Sequence, residues 1–118
     1  MRFLMMHRLD ERAPEAWNPS KEFMARMDAF IRESIDSGVL ITAEGVHPSA
    51  KGALVRKGRT VTVTDGPFTE AKEVIGGFAL INAEDRAEAV AYARRYAELF
   101  EAVEVEVRQV VEAHELPR

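Results

Sequence analysis

The strongest constraint on the fold is the order in which helical and strand-like periodicities follow one another. Apolar residues recur at helical spacing in two segments, residues 20–37 and residues 83–100. Segments with strand character lie before, between and after them, at residues 2–8, 39–46, 53–56, 60–64, 76–82 and 103–108. This order predicts an α+β fold on the split βαβ, or ferredoxin-like, plan.

The first predicted helix has recognisable ends and one apolar face. Ser20 is suited to cap its first turn, and Gly38 is suited to stop it. We expect the apolar face to pack on the sheet. Its members are Phe23, Met27, Phe30, Ile31 and Ile35.

The first predicted strand carries apolar side chains on both of its faces. Phe3 and Met5 point to one side, and Leu4 and Met6 point to the other. Two helices cover only one face of a sheet of this plan, so the second face needs another cover. A second copy of the same sheet across a two-fold axis is the simplest one, and we expect a homodimer whose sheets face each other.

Composition narrows the class of protein. A chain of 118 residues fits a single domain spanning 1–118, and its net charge of −4 argues against direct nucleic-acid binding. The absence of cysteine excludes disulfides, thiolate zinc sites and a cysteine nucleophile. No apolar stretch approaches the roughly 20 residues that cross a membrane, and the apolar N-terminal run is too short for a signal sequence. We therefore expect a cytoplasmic protein without membrane attachment.

Polar residues that can do chemistry are concentrated between residues 44 and 78. His47 follows a strand and precedes Pro48, which favours an extended backbone and a fixed position for a general acid or base. Asp65 precedes Gly66 and Pro67, where its carboxylate either ties the turn together or faces a cleft and orients an imidazole. His47 has the matching alternative of a loop histidine bonded to backbone.

Other polar residues of this region are candidate ligand contacts. Glu44 lies within an apolar strand, where a charge needs a partner such as Arg56, Lys51 or a ligand. Ser49 is a weak candidate nucleophile, since no Gly-x-Ser-x-Gly elbow surrounds it. Glu70 and Lys72 either form a solvated helical turn with a local ion pair or line a pocket.

Metal and cofactor motifs are not evident. The sequence has no Gly-rich phosphate loop. A metal site built from His7, His47, Glu44 and Asp65 has no supporting ligand spacing. His7 itself lies on the face of Phe3 and Met5, where it either packs with a hydrogen bond or borders an interior space. We expect no metal and no cofactor.

Several motifs in order resemble the YCII-related family and its DGPF branch. They are Glu44-Gly45-Val46-His47-Pro48-Ser49, Asp65-Gly66-Pro67-Phe68, Glu70-Ala71-Lys72-Glu73, Gly77-Phe78 and Val107-Arg108-Gln109-Val110. The resemblance covers nearly the whole chain. It implies ferredoxin-like chains that dimerise into an α+β barrel.

The resemblance also implies a type of site. YCII-like proteins have a proposed His and Asp acid–base pair facing a cleft, which by motif position falls here on His47 and Asp65. Some relatives of the DGPF branch are fused to or encoded beside sigma factors of the extracytoplasmic type, and no general substrate is established for that branch.

The sequence thus favours a small-molecule-binding domain. In one form it is a cofactor-free enzyme, with His47 and Asp65 as catalytic residues in a pocket of the dimeric barrel. The predicted ligand-binding residues are Glu44, Ser49, Arg56, Glu70 and Lys72. The alternatives are a non-catalytic ligand-binding or regulatory module linked to sigma-factor-dependent transcription, and a motif that is purely structural.

Overall fold

The computed structural model describes residues 1–117 as two α-helices and six strands, with two single-turn 3-10 helices. Neither helix in this part of the chain is long and apolar enough to cross a bilayer. The elements are β1 (Arg2–Leu9), α1 (Lys21–Asp36), β2 (Leu40–Gly45), β3 (Ala53–Lys57), β4 (Val61–Asp65), β5 (Val74–Asn82), α2 (Arg86–Ala97) and β6 (Glu104–Gln109).

Four of the strands form one antiparallel sheet. Their order is β2-β5-β1-β6, which places the first strand in the interior of the sheet beside the last one. The α+β class is confirmed, and this order is compatible with the predicted ferredoxin-like plan. The predicted hairpin, β3 and β4, is also present, but it forms a separate two-stranded sheet.

The helix ends follow from their capping residues. Ser20 Oγ accepts a hydrogen bond from the backbone N–H of Phe23 at 3.0 Å, and Gly38 follows α1 with φ of 79°. The second helix is shorter than the predicted 83–100. Asp85 caps it by accepting from the N–H of Glu88 at 2.9 Å, so α2 begins only at Arg86.

The core lies between the helices and one face of the sheet. The prediction that Ile35 lies in the core is wrong, because Ile35 is 58% exposed. The buried residue beside it is Ser34. The Ser34 hydroxyl donates to the carbonyl of Phe30 at 2.7 Å and accepts from the Tyr92 hydroxyl at 2.7 Å. Because the Ser34 hydroxyl makes both hydrogen bonds inside the protein, this polar side chain is stable in the core. The helix therefore turns Ser34 inward and leaves its neighbour Ile35 outside. The buried apolar residues are Phe3, Met5, Phe30, Ala79, Ile81, Ala83, Ala89, Tyr92 and Ala93.

The opposite face of the sheet carries no helix. Register pairs Leu4 with Leu80 and Met6 with Phe78 on this open face, and Phe78 is 38% exposed. Charged residues from β1 and β6 flank this apolar strip. Glu106 contacts the guanidinium of Arg108 at 3.0 Å and that of Arg8 at 2.8 Å, and these hydrogen bonds lower its pKa.

The chain exposes more surface than a compact monomer of its mass. Its accessible surface is 8780 Å², whereas about 6400 Å² is typical at this mass. Its radius of gyration is 16.3 Å, compared with about 13.5 Å for a compact chain of this length. The β3–β4 hairpin contributes to this excess, since Val55, Val61 and Val63 are each at least 60% exposed on one of its faces.

Candidate functional site

His7 occupies the end of the inward-facing row of β1. It follows Phe3 and Met5 on the helix side of the sheet and pairs with Gly77 of β5. The register shifts directly after it, because Arg8 pairs with Ile75 and leaves Gly76 as an extra residue. The bulge therefore sets two consecutive glycines beside the imidazole.

The imidazole lies so close to β5 that side chains on that strand would collide with it. A Cβ atom added at Gly76 would come within 2.6 Å of His7 Nε2. One added at Gly77 would come within 2.9 Å of His7 Cε1 and within 2.8 Å of the carbonyl oxygen of Glu44. The glycine pair is thus required by close approach of the ring.

Tyr96 of α2 holds the ring from the other side. Its hydroxyl lies 2.8 Å from His7 Nδ1, and the ring of Phe100 lies 5.4 Å from the imidazole between centroids. Burial lowers the pKa of His7 below its ordinary 6.5, and burial raises the pKa of Tyr96. Both groups are therefore neutral near pH 7, which suits a polar pair in an aromatic setting.

His7 faces a cleft of ≈ 870 Å³ between α1 and the sheet. Aromatic and aliphatic side chains from both helices and from β1 form its walls, including Met5, Phe23, Phe30, Tyr96 and Phe100. Interiors of proteins are normally close-packed, so an apolar space of this size is unusual in a small domain. The cleft lies on the helix side of the sheet and not on the open face where a barrel pocket was predicted.

Acidic side chains dominate the charged lining of the cleft. Five acidic residues border it, compared with one guanidinium, that of Arg26, which donates to the carbonyl of Leu99 at 3.4 Å. Glu44 also borders the cleft, but it pairs with Phe78, so its side chain lies on the open face of the sheet. The Asp10 carboxylate is paired with Arg12, whose hydrogen bond lowers the pKa of Asp10, and this ion pair offsets its charge. The five acidic residues are Asp10, Glu15, Glu22, Glu73 and Glu101.

Ser49 is 7% exposed and connects its own segment to Glu11, in the loop after β1, and to the turn at residues 65–68. Its hydroxyl donates to Glu11 at 2.5 Å and accepts from the N–H of Phe68 at 2.9 Å. Its own N–H donates to the second oxygen of Glu11 at 2.8 Å. A Cβ added at Gly66 would lie 1.6 Å from the Ser49 carbonyl oxygen, so the Asp-Gly-Pro turn sits directly on this serine. These contacts give Ser49 a structural role in the fold.

His47 and Asp65 lie at the surface. Both side chains are exposed, and no hydrogen bond or ion pair connects them within residues 1–117. The turn after Asp65 is held by Ser49 and by the N–H of Gly66, which donates to Gly52 at 2.9 Å, and not by the Asp65 carboxylate. Their predicted acid–base roles stay a prediction.

The other predicted ligand contacts are spread over the surface. Glu44 is exposed on β2, and no ion pair joins it to Arg56 or Lys51 within residues 1–117. Glu70 and Lys72 are exposed in an irregular segment, and the predicted helical turn there is absent from the described structure. Arg56 is exposed on the hairpin. Their predicted ligand contacts stay predictions.

The residues that sequence reasoning did not assign to a site are His7, Tyr96 and Phe100. The inward position of His7 could be read from its place in the row of Phe3 and Met5. Its hydrogen bond to Tyr96 could not, since the two residues are 89 positions apart. The Gly76-Gly77 pair was the one local signal of close approach.

Residues 1–117 thus form an α+β fold with an open apolar space beneath its helices. The family model of the YCII-related domain matches residues 1–114, and the chain belongs to that family. It is also 34% identical over 89 residues to an uncharacterized protein of Rhizobium meliloti (strain 1021), covering 72% of this chain and 71% of that protein.

Replacing Ser49 tests its structural role. Ser49→Ala removes the hydroxyl that satisfies Glu11 and the N–H of Phe68, so we expect the free energy of unfolding to fall by about 1–3 kcal/mol. Urea unfolding followed by circular dichroism measures this loss. Thr69→Ala, at an exposed neighbouring position, is the matched control. Equal stability of the two variants would refute the role.

The lowered pKa of His7 predicts a pH dependence of stability. Because the folded-state pKa lies below the unfolded value of about 6.5, the unfolded chain binds the proton first, and stability falls as the pH drops below that value. We expect wild type to lose more unfolding free energy than His7→Gln between about pH 7 and about pH 5. Urea titrations at both pH values measure the difference.

Thr69→Ala, which changes an exposed position without a titratable group, provides the control for this titration and should keep the wild-type pH dependence. A His7→Gln variant that loses as much stability as wild type on acidification would contradict the linkage to His7.

Proposed function

We propose that this domain binds a small organic molecule in the cleft between α1 and the sheet. The observation that carries this proposal is the ≈ 870 Å³ space lined with aromatic side chains. Folded domains rarely leave an apolar cleft of this kind empty. Each ring exposed in it loses van der Waals contacts with protein atoms and is hydrated instead. An apolar ligand would restore those contacts.

Its polar features support a defined ligand orientation. The cleft combines a largely apolar wall with charged residues and His7, and an apolar wall with polar groups that fix orientation is the usual composition of a small-molecule site. The only tryptophan of the chain, Trp17, borders the cleft and donates from Nε1 to the carbonyl of Val46 at 3.2 Å. A proton-transfer activity, as the resemblance implies, would need a polar group that contacts the bound molecule, and His7 is placed for such contact.

We also propose that a second copy of the chain covers the open face of the sheet. Leu4, Met6, Phe78 and Leu80 form an apolar strip there, and charged residues flank it, as in a protein interface with a polar rim. Because both signs of charge occur on the flanks, the face can complement itself across a two-fold axis.

The cleft is tested with naphthalene as an apolar probe. Methyl resonances of Met5 and Met27, which line the cleft, should shift on addition of naphthalene in two-dimensional carbon–proton spectra. Ala16→Phe fills part of the cleft from the loop before α1 and should weaken binding at least about tenfold, or about 1.4 kcal/mol.

Ala87→Phe, at an exposed position of α2 away from the cleft, is the matched control and should bind like wild type. Unchanged Met5 and Met27 resonances up to the solubility limit of naphthalene would overturn the proposed site.

The dimer is tested by sedimentation velocity. Wild type should sediment at twice the chain mass of 13.2 kDa. Phe78→Glu introduces a buried charge into the proposed interface and should give monomers. Ile35→Glu, at an exposed apolar position of α1, should remain dimeric. Monomeric wild type at micromolar concentration would overturn this part of the proposal.

A further inference from the structure

We propose that His7 positions the ligand of the cleft by donating a hydrogen bond from Nε2 to a neutral carbonyl oxygen. This inference rests on the proposed small-molecule site and specifies the class of molecule that it takes: an apolar body carrying an uncharged acceptor such as a ketone. Three observations carry it, namely the partner of Nδ1, the surroundings of Nε2 and the charge of the cleft lining.

The first observation is the hydrogen bond between Tyr96 and His7 Nδ1. The Tyr96 hydroxyl is enclosed by aromatic neighbours, with the Phe100 ring 5.2 Å and the Phe30 ring 6.0 Å from its own ring, and Nδ1 is its one hydrogen-bond partner within residues 1–117. A buried phenol places its proton on an available acceptor. Tyr96 therefore donates to Nδ1, and the neutral imidazole carries its own proton on Nε2.

The second observation concerns Nε2, which makes no hydrogen bond to any residue between 1 and 117. Its neighbour on the sheet is Gly76, which offers no side-chain acceptor. No side-chain nitrogen or oxygen in the described part of the chain is both fully buried and unpaired, so the unpaired Nε2 keeps some accessible surface, and the residue that carries it borders the cleft. An N–H donor in a largely apolar space gains most from an oxygen acceptor, because water is only partly available there.

The third observation is the excess of acidic side chains along the cleft. Five acidic residues border the cleft, and its one bordering guanidinium is that of Arg26. Even with Asp10 offset by Arg12, the excess of negative charge disfavours an anionic ligand on its way to the histidine. The acceptor that meets Nε2–H is therefore a neutral oxygen and not a carboxylate. Burial disfavours the charged imidazolium, which agrees with a neutral donor and a neutral acceptor.

Three probes of one shape test this inference. They are 2-acetylnaphthalene, which carries the ketone, 2-isopropenylnaphthalene, which replaces its oxygen by CH₂, and 2-naphthoate, which carries a carboxylate. We expect wild type to bind the ketone about tenfold more tightly than the hydrocarbon, as one hydrogen bond to a neutral acceptor allows. The carboxylate should bind more weakly than the ketone.

The variant His7→Leu should bind the two uncharged probes with equal affinity, since it keeps an apolar wall and removes the donor. Tyr96→Phe frees Nδ1 to carry the proton and should reduce the preference for the ketone. Tyr92→Phe, which changes a hydroxyl that bonds Ser34 instead of His7, is the matched control and should keep the preference.

A direct reading of the tautomer needs no variant. Nitrogen-15 spectra of histidine-labelled wild type distinguish protonated from unprotonated ring nitrogens, and we expect the proton of His7 on Nε2. A proton on Nδ1, a ketone preference that survives His7→Leu, or tighter binding of 2-naphthoate would each overturn the inference.

The same titrations separate this inference from the proposed function. If the two uncharged probes bind wild type equally well, the cleft is a ligand site but His7 does not select a carbonyl. If none of the three probes binds, the proposed site fails, and the inference fails with it.

Discussion

The alternation of side-chain direction along β1 determines which residues face the core and which face the open side of the sheet. Since β1 pairs with β5 on one side and β6 on the other, its odd-numbered residues face the helices and its even-numbered residues face away from them. Phe3 and Met5 anchor the core, and His7 in the same row borders the cleft. Leu4 and Met6 define the open face. A shift of one residue in this register would exchange the two sets.

The cleft exists because the two helices cover only part of the inner face of the sheet. The sheet is four strands wide, and α2 packs its small residues Ala89 and Ala93 into the core. The aromatic rings of Phe23, Phe30, Tyr96 and Phe100 pack against one another and form part of its wall. Polar groups within such a space act at close range, because little water screens them. A single imidazole would therefore be sufficient to orient the ligand that we propose for the cleft.

Local sequence patterns were sufficient for the elements and insufficient for the contacts between them. The order of elements, the Ser20 cap and the hairpin could be predicted, since each depends on neighbouring residues. Ile35 was placed inside because helical period alone cannot show that Ser34 finds two hydrogen bonds there. Ser49 was considered for chemistry, but its carboxylate partner, Glu11, is 38 positions away. Such long-range pairings have no signature in a single sequence.

The two glycines beside His7 differ in which atoms exclude a side chain at their positions. The space at Gly76 is taken by side-chain atoms of His7 and Leu9, whereas the space at Gly77 is also taken by the backbone oxygen of Glu44. A smaller residue at position 7, together with a small shift of the Leu9 side chain 3.1 Å away, would thus permit alanine at 76 but not at 77. The order of substitution therefore matters. Alanine at 76 is excluded while His7 is present and becomes possible after residue 7 has changed. Once alanine occupies position 76, a return to histidine at position 7 is excluded in turn.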